Sequence, residues 1–200
     1  RLWIFRKKET CRQKKDKITD PERTEEMNQH KKTNITLIGM PSSGKSTVGV
    51  LLAKRLAYSF VDVDIVIQEK EGRLLKDIIA EQGMDGFMEV ENRINAELDV
   101  RRSVIAPGGS VIFGKEAMEH YKEISQIVYL KLGYREVERR IGNVVDRGVV
   151  LKEGQTLRDL YNERVPYYEK YADITVDETG KTLGKVVDEL RKIIEGQNEY

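Results

Sequence analysis

The chain has 200 residues, 39% hydrophobic and 34% charged, with 35 Lys/Arg against 34 Asp/Glu and a formal net charge of +1. No apolar run approaches the roughly 20 residues a bilayer span requires, so no membrane partner is expected, and the near-zero charge gives no basis for nucleic-acid binding. One cysteine, Cys11, excludes an internal disulfide framework and a four-cysteine metal site and points to the reducing cytoplasm; two histidines, His30 and His120, leave little for His-based chemistry.

The charge is unevenly spread. Residues 1–33 carry 11 Lys/Arg and 6 Asp/Glu, a net +5, whereas residues 34–200 carry 24 and 28, a net −4. The first segment has no sustained apolar period and reads as a disordered basic extension. Leu2 to Phe5 is too short an apolar run for a secretory signal. Met27 is the expected natural first residue, with 1–26 vector-derived or upstream translated sequence. The alternative is a native basic tail that touches nucleic acid or anionic lipid.

From residue 34 the pattern alternates. Residues 34–39 form a buried strand ending in a glycine turn, and Val48, Leu51, Leu52 and Leu56 give residues 45–57 a helical period. Residues 59–64 read as a second strand and 65–102 as two or three helices. Residues 103–106 are a short strand broken by Pro107-Gly108-Gly109, 115–123 a helix, 126–132 a strong strand and 134–141 a helix. Residues 142–154 form a glycine-containing loop. A helix over 156–171, a strand over 173–177 and a helix over 183–194 complete the chain. Strands alternating with helices imply right-handed crossovers, hence an α/β fold with a five-stranded parallel sheet between helical layers.

The strongest motif is Gly39-Met-Pro-Ser42-Ser43-Gly44-Lys45-Ser46-Thr47. It matches G-x-x-x-x-G-K-[ST] and lies between a strand and a helix, where the motif must lie. Its glycines let backbone N–H groups curl around phosphate oxygens, and the helix start adds positive potential. Lys45 can reach the outer phosphates of ATP, and the Ser46 hydroxyl can ligate Mg²⁺. Asp62 and Asp64 stand at the carboxyl end of the second strand, the edge where parallel sheets bind ligands. Strand alternation puts both carboxylates on one face; one can hold Mg²⁺ and the other orient a substrate hydroxyl or act as base. The bland alternative is a cap for the next helix. Gly108 and Gly109 permit close approach of a ligand to the backbone. Arg140 and Arg147 flank the 142–154 loop, which can close over phosphates. Arg164 can clamp a carboxylate or pair with Glu163 or Glu169. His120 and the tyrosines near Arg164 read as packing.

Together these elements resemble the shikimate kinase family of P-loop kinases, over residues 34–195. The resemblance rests on Gly39–Thr47, on Phe60 to Asp64, on Gly72, Ile78, Gly83, Phe87 and Glu91, on Gly108-Gly109, on Arg140 and Arg147, and on Arg164 to Asp177. It implies an ATP-dependent phosphotransferase acting on an alcohol of shikimate. In that reading Gly39, Ser42, Ser43, Gly44, Lys45, Ser46 and Thr47 bind ATP, Ser46 and Asp62 hold Mg²⁺, and Arg140 lies near the adenine. Lys45, Asp64 and Arg147 are catalytic. Asp64, Gly108, Gly109 and Arg164 bind the acceptor, a hydroxylated carboxylic acid. Residues 65–95 form the acceptor-binding subdomain and 142–154 the lid, within a domain spanning 34–200. The protein is expected to act as a cytoplasmic monomer.

Three positions depart from the family pattern. Met88 stands where an arginine usually completes the carboxylate clamp, Ser110 replaces a third glycine, and the lid reads Arg147-Gly148-Val149-Val150 instead of Arg-Pro-Leu-Leu. Either a neighbour such as Arg93 supplies the missing charge, or the acceptor is another metabolite, such as a sugar acid or amino alcohol. A non-catalytic nucleotide-binding regulator is the rival of a different class.

Overall fold

The computed structural model describes residues 32–142, 151 and 154–197. The expected basic extension with Met27, and Arg147 with most of the loop around it, lie outside these residues. Five strands form one wholly parallel sheet: β1 (Asn34–Ile38), β2 (Ser59–Asp62), β3 (Ser103–Ala106), β4 (Ser125–Lys131) and β5 (Ile174–Asp177). Their order is β2-β3-β1-β4-β5. The described helices are α1 (Lys45–Leu56), α2 (Val63–Glu71), α3 (Leu75–Ala96), α4 (Lys115–Ile124), α5 (Tyr134–Ile141), α6 (Leu157–Tyr171) and α7 (Leu183–Gln197). Among the described residues no helix is long and apolar enough to cross a membrane.

Strand alternation builds the two cores. Ile127 and Tyr129 of β4 and Ile105 of β3 face one side, with residues of α2, α3, α4 and α6. Val128 and Leu130, Val104, and Ile35 and Leu37 of β1 face the other, against α1 and α7. β1 is buried throughout because both its faces are covered. It sits between β3 and β4, the point where strand order reverses, so its carboxyl end opens onto the crevice where such sheets bind ligands.

The boundaries differ from expectation at one important place. β2 ends at Asp62, and Val63 already opens α2. The Asp62 side chain accepts a hydrogen bond from the Asp64 N–H at 3.2 Å, so it caps the helix. α3 runs as one element, kinked at Gly83, where φ is 72° and ψ −176°; this left-handed break explains the several shorter helices read from the sequence.

Asn34 fastens the start of β1. Its Nδ2 donates to the Val100 carbonyl at 2.8 Å and the Ile124 carbonyl at 3.2 Å. Its Oδ1 accepts from the Ser103 N–H at 3.0 Å. One buried amide thus ties β1 to the connections entering β3 and β4. Asn34→Ala is expected to cost about 2–4 kcal/mol, because it leaves buried backbone groups unpaired. A urea titration should show a lower midpoint at unchanged slope; a loss below about 0.5 kcal/mol contradicts this role.

Candidate active site

The β1–α1 loop is held open by backbone geometry. Gly39, Ser42 and Gly44 have φ of 151°, 61° and 91°. A Cβ at Gly39 would stand 2.8 Å from the Leu130 carbonyl oxygen of β4, so only glycine passes there. α1 starts at Lys45 with no side-chain cap on Gly44, which leaves first-turn N–H groups turned to the crevice for an anion. The Lys45 Nζ donates to the carbonyls of Gly39 at 3.1 Å and Met40 at 3.2 Å. Burial lowers the Lys45 pKa to about 8, against the pull of Asp64.

A cavity of ≈ 1040 Å³ opens in front of this loop. Ser42, Gly44, Lys45, Ser46 and Thr47 line it, as do Asp62, Asp64, Gly108, Gly109, Arg140 and Arg164. Gly39 and Ser43 lie beneath the surface and shape the loop; the Ser43 hydroxyl is buried. Arg147 lies outside the described residues. All other residues expected in the site therefore gather around one cleft.

Asp62 and Asp64 reach the cleft by a different route from simple alternation. Asp62 is the cap and Asp64 lies in the first turn of α2. The cap occupies one Asp62 oxygen and leaves the other to Ser46. Oδ1 holds the Asp64 N–H, while Oδ2 accepts from the Ser46 hydroxyl at 3.0 Å. This hydroxyl and carboxylate are the hard oxygen donors that Mg²⁺ prefers. Burial raises the Asp64 pKa, the Asp62 charge raises it further, and Lys45 opposes both.

The far wall carries Arg164 and the Gly108-Gly109 turn. Arg164 on α6 is 7% exposed and forms no ion pair among the described residues. Glu169 instead accepts from Lys131 at 2.9 Å and Glu163 from Gln155 at 2.8 Å. The Arg164 Nε is buried without a hydrogen-bond partner among the described residues, and a Cβ at Gly109 would stand 3.0 Å from Nη1. Tyr168, stacked on Tyr129, donates its hydroxyl to the Gly109 carbonyl at 2.7 Å. It fixes the glycine floor as well as packing. His120 is structural, its Nε2 lying 2.8 Å from the Leu98 carbonyl.

Arg140 stands beside the β1–α1 loop. It donates to Glu136 at 2.8 Å, to Glu178 at 3.1 Å and to the Ser43 carbonyl at 3.5 Å. Arg93 is not in the cleft: it pairs at 2.7 Å with Glu71, which also pairs with Arg73 at 3.5 Å. The α2–α3 junction thus uses the charge that was a candidate for the clamp. Glu91 is the residue whose role sequence reading missed. It is 2% exposed, lines the cleft and accepts at Oε2 from the Ser110 hydroxyl at 2.6 Å. Only the fold brings together two residues 19 positions apart.

A phosphate loop at the carboxyl end of a parallel sheet, opening on a cleft with Asp62, Asp64 and Arg164 around it, is the arrangement of a P-loop kinase for a small molecule. The shikimate kinase family model matches residues 41–195. A shikimate kinase of Chlorobium chlorochromatii is 37% identical over 172 residues, covering 80% of this chain and 90% of that protein. A shikimate kinase from Acinetobacter baumannii, solved in complex with shikimate, aligns with a TM-score of 0.76 at 29% identity, covering 84% of this chain and 96% of that one. The enzyme from Aquifex aeolicus aligns at 0.70 and 30%, covering 82% and 98%. The chain belongs to the shikimate kinase family, and is an ATP-dependent kinase acting on an alcohol.

The lowered Lys45 pKa gives a test independent of the acceptor. Near pH 8 about half of Lys45 is neutral in the free protein, and bound phosphates favour its charged form. ATP binding at pH 8 should therefore take up roughly half a proton per protein, seen by calorimetry in buffers of different ionisation enthalpy. Lys45→Met should abolish the uptake. Identical uptake in this variant would assign the proton elsewhere.

Proposed function

We propose that the protein transfers the γ-phosphoryl group of ATP to a hydroxyl of shikimate, with Mg²⁺ held by Ser46 and Asp62. The observation that carries this reading is Arg164: a buried guanidinium whose Nε has no partner among the described residues, facing the cleft that the phosphate loop closes on its other side. A buried arginine calls for an anion, and the acceptor carboxylate is the anion that orients the ring with its hydroxyls toward Asp64.

The residues act by positioning and by neutralising charge, as phosphoryl transfer requires. The loop N–H groups and Lys45 hold the phosphates, and Arg140 borders the nucleotide side. Asp64 accepts a hydrogen bond from the attacking hydroxyl; its raised pKa suits it to take the proton as the bond to phosphorus forms. Gly108 and Gly109 form the floor. We assign Arg147 to the lid, where its charge would meet the transferring group. A cleft of this size supports a small-molecule partner, and the need for ATP supports the cytoplasm. A second reading, another hydroxylated metabolite such as a sugar acid or amino alcohol, is favoured by Met88, which lines a separate cavity and offers an acceptor carboxylate no charge.

ADP release by the full chain with MgATP should depend on shikimate. Arg164→Ala should raise the KM for shikimate about 30- to 150-fold, the loss of a charge-assisted pair, with the KM for ATP unchanged. Asp64→Asn should lower kcat about 10²- to 10⁴-fold. Release that ignores shikimate but responds to another hydroxy acid would select the second reading. Release that responds to no acceptor would defeat the proposal.

A further inference from the structure

Glu91 sets a physical problem. Its carboxyl is 2% exposed and lies beside a second carboxylate, Asp64, whose charge opposes its ionisation. A buried carboxyl needs a partner. Position 88 lies one turn earlier on α3, and residues three apart on a helix are neighbours. Met88, Glu91 and Ser110 line one cavity of ≈ 250 Å³. Glu91 and Ser110 also line the large cleft. The Ser110–Glu91 pair is thus a partition, with the cleft on one side and Met88 on the other. An arginine at 88 would face this carboxyl, whereas the methionine offers it nothing. The hydrogen bond comes instead from Ser110, at the position where the family pattern has a third glycine.

The second carboxyl oxygen is left over. Glu91 Oε1 has no hydrogen-bond partner among the described residues. A Cβ on Gly108 would stand 2.2 Å from it and 3.5 Å from Asp64 Oδ1. Oε1 and Asp64 therefore flank the glycine floor on which the acceptor rests. The other polar groups of this stretch are committed elsewhere. Asn95 donates to the Glu91 backbone carbonyl at 2.6 Å and accepts from the Tyr121 hydroxyl.

We propose that Ser110 is a positioning residue of the acceptor site: its hydroxyl holds the Glu91 carboxyl against Gly108 so that Oε1 meets a hydroxyl of the bound acceptor. Met88 and Ser110 are then one coupled exchange, a charge lost and a hydroxyl gained at the same carboxyl. The exchange alters how the acceptor's hydroxyl edge is read and leaves its carboxylate to Arg164. This inference rests on the acceptor reading above.

A hydroxyl stabilises a carboxylate less than a guanidinium does, so Glu91 keeps a pKa raised by burial to about 7. Asp64 of α2 raises it too; Ser110, Arg164 of α6 and Lys45 of α1 lower it. Tyr121 of α4 and Tyr168 of α6 also face it and stay neutral in this range, their hydroxyl pKa values raised by burial. Because the Ser110 bond favours the ionised form, removing it must move the Glu91 titration to higher pH.

The test uses Ser110→Ala and Ser110→Thr in the full chain, with ¹³C-labelled glutamate carboxyls. Ser110→Ala should raise the acceptor KM about tenfold with the KM for ATP unchanged, and should shift both the acceptor-side inflection of kcat/KM and the Glu91 resonance titration to higher pH. Ser110→Thr, which keeps the hydroxyl, should restore all three. An unshifted Glu91 titration in Ser110→Ala overturns the inference whatever the acceptor is. A shifted titration with an unchanged acceptor KM overturns the positioning role. Absence of shikimate turnover in the unmodified protein overturns the acceptor reading instead, and the titration still decides the Ser110–Glu91 coupling.

Discussion

The site depends on keeping a buried ammonium charged at the end of β1. Lys45 is stripped of water by the loop that presents it, and that desolvation is the largest influence on its proton. Asp64, Asp62 and Glu91 pull the other way and Arg164 does not. Asp62, Asp64 and Glu91 stabilise the charged lysine and Arg164 opposes it, so a polyanion entering the cleft tips the lysine fully to its charged form. Removing Lys45 would raise the Asp64 and Glu91 pKa values further, and removing either carboxylate would lower that of Lys45. The sheet order makes this possible, because β1 lies between β3 and β4, where the strand order reverses.

The two halves of the cleft are built on different physical footing. The nucleotide half is mostly backbone: left-handed φ angles, free first-turn N–H groups and a glycine pressed against the Leu130 carbonyl. Such a half tolerates little side-chain change. The acceptor half is made of side chains on α2, α3 and α6, among them Glu91 held by Ser110 and Tyr168 bonded to Gly109. It can therefore be rewired residue by residue, and Met88 with Ser110 is such a rewiring. The Tyr168–Gly109 bond keeps the floor in place while the walls change.

The phosphate loop and the strand–helix alternation were legible because local spacing alone encodes them. The same holds for α5, read from sequence as residues 134–141 and found at Tyr134–Ile141. Asp62 and Asp64 were found for an incomplete reason: the strand stops two residues early, and the capping bond between them aims both carboxylates. Arg93 misled because proximity to Met88 in sequence says nothing about Glu71, which reaches it from α2. The Ser110–Glu91 pair carries no local signal, since α3 and the β3 turn meet only in the fold. Arg164 was legible as a candidate clamp; that it has no carboxylate partner among the described residues required the structure.

The central claim is that one cleft brings a phosphoryl donor and a hydroxy-acid acceptor together for direct transfer. Phosphorus NMR of the full chain with MgATP and shikimate tests it in a single spectrum. The resonances of ADP and of a new phosphate monoester on the acceptor should grow in equal amounts, with little inorganic phosphate. ADP accompanied by inorganic phosphate alone would mean that water, not the acceptor, receives the group, and would contradict the assignment of Asp64, Arg164 and the glycine floor to an acceptor site.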